Sequence, residues 1–246
     1  MPSSQRDLRN DYSNSAEIYS TALKYEGTAD LLYQLIPIII AKIQPIYGKV
    51  LDFGCGTGDS MRVLQQCNLD TIGVDISADM LSQAQKSDPI GDYRKVDRGE
   101  LPFIDNYFAM IFCSFAFLEM ATKNEMQIAF NEIYRTLQTN GNFIMATASP
   151  EMFDVKNQWV SIDNNYPENL EPYSGKICKI KLKDINLELL DYYWSDDDYI
   201  QIAATSGFTC KEIIRPTVKD LPKQIAIDWL SETTVAPYVI FIFQKI

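Results

Sequence analysis

Residues 49–58 read Lys49-Val50-Leu51-Asp52-Phe53-Gly54-Cys55-Gly56-Thr57-Gly58, and this stretch decides the fold. Its first half is an apolar strand that closes on Asp52 and Phe53. Its second half turns through Gly54, Gly56 and Gly58. Glycine carries no Cβ, so it takes the φ > 0 conformations of a tight strand-to-helix turn and lets main-chain N–H groups face a bound molecule. The stretch reads as the binding turn for a nucleoside-like cofactor.

Outward from this turn the chain alternates. The pattern predicts strands at 50–53, 71–76, 93–96, 108–115 and 142–148, with helices at 58–67, 78–86 and 124–137, the last ended by Asn140-Gly141 as a C-cap. Short apolar strands separated by helices imply parallel βαβ units with helices on both sheet faces. The expected fold is α/β, a doubly wound, Rossmann-like, mostly parallel seven-stranded sheet. Residues 1–47 precede it as an N-terminal helical cover, with a short helix over 12–25 and a longer one over 29–43 that Pro37 kinks. Residues 48–149 form the cofactor-binding core. The rhythm breaks after Pro150, and residues 150–194 read as an inserted lid after strand five, with hairpin alternation over 176–190. Residues 195–246 return to the sheet through a helix at 196–204, a strand at 209–214 and a last strand from Tyr238, all within one structural domain.

Composition narrows the function. The 246 residues hold 22 Lys and Arg against 33 Asp and Glu, a net charge of −11 that repels polyanions and argues against nucleic acid and anionic membrane as partners. Cys55, Cys67, Cys113, Cys178 and Cys210 are odd in number and widely spaced, which argues against a disulfide framework or a zinc ribbon, so no metal is expected. The start has no basic segment leading into an apolar one, and the most apolar window, 31–47, is interrupted by polar residues and prolines. The expectation is a soluble, reduced, cytoplasmic protein. Histidine is absent, which removes the commonest general base and every imidazole-dependent triad.

Three glycine-turn chemistries are separated by spacing. A P-loop needs a Gly-Lys-Ser/Thr ending that is missing here. A dinucleotide fingerprint needs a small residue at position 59, which is Asp59, and a pyrophosphate there meets Asp52 as well. The remaining pattern, Asp52-x-Gly54-x-Gly56-x-Gly58, resembles motif I of the class I S-adenosylmethionine-dependent methyltransferases. The resemblance continues through Val74-Asp75-Ile76-Ser77 with Met80-Leu81 and Ala84, Val96-Asp97-Arg98 with Glu100-Leu101-Pro102-Phe103, Phe112 to Met120, and Glu132 to Leu137 followed by Asn140-Gly141-Asn142-Phe143. Together these cover roughly positions 48–149.

The resemblance implies S-adenosylmethionine as cofactor, S-adenosylhomocysteine as product, and a set of contacts. Asp75 closes the second strand, where a carboxylate accepts both ribose hydroxyls. Asp97, followed by Arg98, reaches the adenine amino group, and Ile76 and Met80 sandwich the ring. Asp52 lies beside the cationic methionine portion, with Gly54, Cys55, Gly56 and Gly58 forming the turn and Ser114 and Phe115 the fourth strand tip. Tyr19, from Tyr12-x-x-x-Ala16-x-x-Tyr19, closes over the sulfonium. Each residue also has a structural reading: a tight turn for the glycines, a solvated cap for Asp97, packing for Tyr19, a small filler for Cys55 and a salt-bridge partner for Glu119.

Methyl transfer from a sulfonium needs alignment and water exclusion more than acid–base machinery. An oxygen or nitrogen acceptor must still lose a proton, for which Tyr19, Glu119 and Glu151 are the candidates. The lid carries Phe153, Trp159, Tyr166, Tyr173, Tyr192, Tyr193, Trp194 and Tyr199, a density that suits a flat or apolar small acceptor or else anchors the lid. Its pattern is similar to small-molecule methyltransferases of bacterial secondary metabolism, including the toxoflavin-synthase-like group. Cys113 and Cys178 are the one thiol pair that an arsenite acceptor needs to find converging. An inactive cofactor-binding module is the alternative from another class, and the oligomeric state stays open.

Overall fold

A computed structural model describes residues 15–21, 27–43, 45–222 and 229–246. The first expected helix is seen only as α1, Ala16–Ser20, and Tyr12 and Tyr25 lie outside the described residues. The second divides into α2, Asp30–Tyr33, and α3, Ile36–Ile43. Pro37 therefore sits in the first turn of α3, where its missing N–H breaks no helical bond, and the interruption falls at Gln34 and Leu35 instead.

The central sheet contains β1 (Lys49–Phe53), β2 (Asp70–Asp75), β3 (Asp92–Lys95), β4 (Phe108–Ser114), β5 (Leu137–Ala148), β9 (Phe208–Ile214) and β10 (Tyr238–Lys245), in the order β3-β2-β1-β4-β5-β10-β9. The first five run parallel, and β10 lies antiparallel to both β5 and β9. Between strands stand α4 (Asp59–Gln66), α5 (Ala78–Ser87), α6 (Lys123–Thr136) and α7 (Asp196–Thr205). The seven-stranded, mostly parallel sheet that the alternation predicts is the sheet observed. Strand order reverses between β1 and β4, which places the ligand crevice at the carboxyl ends of these strands.

Successive residues point to opposite faces, so each central strand feeds two cores. Val50, Phe112, Ile144 and Ile240 pack with α2, α3 and α4 on one side. Leu51, Ile111, Phe143 and Phe241 pack with Phe130 and Ile133 of α6 and Tyr199 and Ile202 of α7 on the other. The β3 edge is polar and charged, as an unpaired edge that resists further strand pairing should be. Helix starts are capped by side chains: Ser77 Oγ accepts from Met80 N at 3.3 Å, Thr122 Oγ1 from Glu125 N at 3.1 Å, and Ser195 and Asp198 form a reciprocal box.

The expected cap at Asn140-Gly141 is not there. Helix α6 stops at Thr136, whose Oγ1 donates to Glu132 O at 2.8 Å, and Leu137 is already extended. Asn140, at φ +65°, and Gly141 instead form a bulge between the pairs Leu137–Phe108 and Asn142–Met110. Residues that suit a helix stop suit a bulge equally well, because both demand a left-handed backbone.

A second, antiparallel sheet of β6 (Ile162–Asp163), β7 (Ile177–Leu182) and β8 (Leu187–Tyr192) forms within the inserted segment. Its buried Ile162, Cys178, Ile180 and Leu189 join the first core cluster beside Ala148, Met152 and Tyr238. Glu232, fully buried, ties this region to the N-terminal cover: its Oε1 accepts from Thr28 Oγ1 at 2.8 Å and from Val160 N at 2.7 Å.

Candidate active site

The tips of β1, β2, β3 and β4 enclose a cavity of about 540 Å³, within the range of sites that hold a drug-sized ligand. The glycine turn forms one wall. Gly54 (φ +71°), Gly56 (φ +52°) and Gly58 (φ +79°) all take the left-handed backbone the sequence requires of them. A Cβ on Gly54 meets Ala116 Cβ at 2.5 Å, and one on Gly58 meets the Tyr93 hydroxyl at 2.5 Å, whereas one on Gly56 has nothing within 4 Å. Gly54 and Gly58 are thus packing glycines, and the open space stands over Gly56.

Asp75 locks this turn to β2. Its Oδ2 accepts from Gly56 N at 2.8 Å and its Oδ1 from Ser77 N at 2.8 Å. Burial raises its pKa, opposed by these amides and by the Arg98 guanidinium. Of the residues picked out by spacing, Tyr19, Gly54, Gly56, Asp75, Ile76, Met80, Asp97, Arg98, Ser114, Phe115 and Glu119 line the cavity.

Four lie elsewhere. Gly58 caps α4 beneath Tyr93. Cys55 is buried against Gly73, with its thiol pushed well up by burial, so it is a filler and no nucleophile. Glu151 sits in the turn of residues 150–153, where Met152 and not Glu151 faces the smaller of the two cavities, and it lines neither. Asp52 is fully buried behind the turn, bonded by Ser60 Oγ at 2.7 Å, and its Oδ1 has no hydrogen-bond partner among the described residues. Burial lifts its pKa to about 7.

Spacing also missed a wall. Helix α6 contributes Glu125, Ile128, Ala129 and Glu132, and Leu101 completes the floor. Glu132 Oε2 accepts from Leu101 N at 3.0 Å while Arg135 bonds Glu132, Leu101 O and Phe103 O, fixing the β3–β4 connection under the cavity. The Arg135 guanidinium holds the Glu132 carboxyl below its ordinary pKa. Periodicity shows which helix face is buried but not that its first turns overhang a ligand site.

A second chamber of about 120 Å³ adjoins the first and shares Tyr19, Phe115 and Glu119 with it. Phe115 stands at the passage with φ +64°, a strained value for a non-glycine residue, held by its N–H to Ala146 O at 2.9 Å and its ring against Tyr238 at 5.0 Å. Tyr19 is half-buried there, and desolvation together with the carboxylates of Asp59, Asp191, Glu119 and Asp184 drives its pKa up. Its phenol stays protonated, so Tyr19 is a hydrogen-bond donor and not the proton acceptor.

None of the eight aromatics of the inserted segment and α7 lines the chamber. Trp159 Nε1 donates to Met152 O at 3.1 Å, Trp194 Nε1 to Met120 O at 3.0 Å, and Tyr199 is buried in the second core. These three are anchors, and the segment's wall of the chamber sets the aliphatic Ile162, Ile180, Leu182 and Leu189 beside Ser161, Asp184 and Asp191. Cys113 and Cys178 lie in opposite cores, and no metal-binding cluster occurs among the described residues.

The first cavity suits a cation. Asp75, Asp97, Glu100, Glu119, Glu125 and Glu132 face it against Arg98 alone among its described lining residues. A positive ligand over the glycine turn also offsets the orphaned oxygen of Asp52, whereas a pyrophosphate meets Asp59, already bonded by Thr57 Oγ1 at 2.6 Å and by Arg62.

The profile of a methyltransferase domain family matches residues 50–141. Residues 50–141 thus carry a methyltransferase domain, with the sheet and glycine turn that resemble those of the class I S-adenosylmethionine-dependent enzymes. It is 28% identical to the N-demethylindolmycin N-methyltransferase of Streptomyces griseus over 65% of this chain and 68% of that protein. It is 27% identical to a malonyl-[acyl-carrier protein] O-methyltransferase of Buchnera aphidicola, over 54% of this chain and 53% of that protein. Its fold is that of an S-adenosylmethionine-dependent methyltransferase from Clostridium acetobutylicum, with a TM-score of 0.65, 16% identity and coverage of 96% of this chain and 99% of that one.

Proposed function

We propose that this chain methylates a small, largely apolar acceptor held in the second chamber. The observation that carries this reading is the junction: Tyr19, Phe115 and Glu119 belong to both cavities, so a donor in the larger and an acceptor in the smaller meet across three side chains. Asp75 takes the ribose, Asp97 the adenine edge between Ile76 and Met80, and the open space over Gly56 the methionine portion, in front of the buried Asp52. S-adenosylmethionine supplies a methyl group already activated on sulfur, which the acceptor takes by in-line displacement.

The protein's part is placement and dryness. Phe115, Leu118 and Tyr238 wall the chamber with apolar surface, and Tyr19 donates from a hydroxyl that does not ionise near neutral pH. Glu119 stays as the proton acceptor candidate at the passage. The size of the chamber supports a small molecule rather than a polymer, in keeping with N-demethylindolmycin, the substrate named for the Streptomyces relative. Five free cysteines fit a reducing, cytoplasmic setting. No helix among the described residues is long and apolar enough to cross a membrane.

Incubation with S-adenosylmethionine labelled in its methyl group, across small amines, phenols, carboxylates and quinones, tests this. Label in one acceptor class, abolished by filling the chamber with Leu189→Trp, is the expected result. Tight binding of S-adenosylhomocysteine without transfer to any acceptor instead marks a binding module.

A further inference from the structure

Asp191, on β8, is 4% exposed and faces the second chamber. No hydrogen bond or ion pair reaches its carboxylate from the described residues, and the charged group that acts on it is another carboxylate, Glu119. Asp198, a comparable acid, is by contrast bonded by Ser195, Ser174 and Lys123. A buried carboxylate without a partner costs several kcal/mol, and folded proteins rarely keep one unless a ligand completes it.

Its setting defines that ligand. Ile180, Leu182 and Leu189 give the chamber an aliphatic side, Tyr19, Tyr33 and Ser161 bring hydroxyls to it, and its other charged lining residues are Glu119 and Asp184. No Lys or Arg lines the chamber among the described residues. Among the described residues, an acid acceptor meets the Asp191 carboxylate there and no cation. An uncharged acceptor leaves Asp191 half satisfied. An amine, as its ammonium, offers both the charge and the N–H donors that the site lacks.

We propose that the second chamber recognises a small amine-bearing acceptor, with the Asp191 carboxylate as the counter-ion that reads its nitrogen and the aliphatic wall taking its apolar body. This rests on the methyltransferase reading for the role of the chamber. The amine is the recognition handle, whichever atom of the molecule is methylated. Burial beside Glu119 raises the Asp191 pKa, in keeping with an acid awaiting a positive neighbour.

Calorimetry on the full chain saturated with S-adenosylhomocysteine tests this with benzylamine, benzyl alcohol and benzoate, three ligands of similar bulk and different charge. Benzylamine is expected to bind at least tenfold more tightly than benzyl alcohol, and benzoate to give no heat. Asp191→Asn is expected to lose tenfold or more in benzylamine affinity, keep its S-adenosylhomocysteine affinity, and melt at the same or a higher temperature, since a lone buried charge is gone. Benzoate binding as well as benzylamine, an unchanged benzylamine affinity in Asp191→Asn, or a lowered melting temperature that marks a structural carboxylate overturns the proposal. If S-adenosylhomocysteine gives no heat, the donor site fails instead, and the three titrations into the unliganded chain still decide the chamber.

Discussion

The Gly56 amide donates to Asp75 Oδ2 at 2.8 Å, joining the open glycine of the first strand's turn to the acid that closes the second strand. One carboxylate thus shapes the turn and faces the cavity. Asp75→Ala removes the turn's anchor and the acceptor proposed for two ribose hydroxyls. Charge-assisted hydrogen bonds are worth about 1.5–3 kcal/mol each, so S-adenosylhomocysteine affinity should fall well over tenfold by calorimetry. Unchanged affinity removes Asp75 from the site.

The glycines should separate by substitution. Gly54→Ala forces a Cβ within 2.5 Å of Ala116 and at φ +71°, while Gly56→Ala at φ +52° meets nothing within 4 Å. A left-handed non-glycine residue costs about 1–2 kcal/mol, and overpacking adds about 1–3 more. Urea titration should show Gly54→Ala as the less stable variant. Gly56→Ala should lose cofactor affinity with the smaller loss of stability, and equal stability of the two contradicts the packing described.

Stability should fall as pH rises from about 5 to 7.5. Asp52 has a folded pKa of about 7, above its ordinary 3.8, so the folded state binds more protons than the unfolded in that window, and stability is lost as pH climbs through the folded value. Asp75 and Asp191 are raised too and act with the same sign. The lowered acids, Asp198 at about 2 and Glu132 below its ordinary value, act in the opposite sense only at lower pH. Asp52→Asn should flatten the profile measured by denaturant titration at pH 5 and 7.5. A slope as steep as wild type shows that Asp52 carries none of it.

Trp159→Phe should separate anchoring from binding. It deletes the Nε1 bond to Met152 O, which keeps its other donor, Asn164 Nδ2 at 2.9 Å, so the loss is about 0.5–1.5 kcal/mol. A lower melting temperature with unchanged S-adenosylhomocysteine affinity is expected. A change in cofactor affinity with no loss of stability contradicts the anchoring role.

The sheet and the residues at its strand tips were legible because their signals are local. A run such as Val50–Phe53 bounded by alternate glycines, then Asp75 and Asp97 at the next strand ends, is fixed by spacing alone, and these tips do line one cavity, Asp52 and Gly58 excepted. The rest depends on contacts between distant segments. Aromatic density in the inserted segment carries no direction, and Trp159 and Trp194 spend their rings and N–H groups on anchoring. Asp191 stands in a strand whose alternation predicts an inward side chain, but only the packing around β8 shows that no described residue answers its charge. Asn140-Gly141 announces a left-handed backbone without saying whether a helix stop or a bulge uses it.

A crystal structure of the chain with S-adenosylhomocysteine tests the central claim most directly. The ligand should lie across the tips of β1, β2 and β3, with its ribose on Asp75, its adenine between Ile76 and Met80, and its sulfur turned toward Tyr19 and Phe115. Density for the ligand anywhere else, or a cavity that closes over Gly56 and leaves it out, contradicts the account.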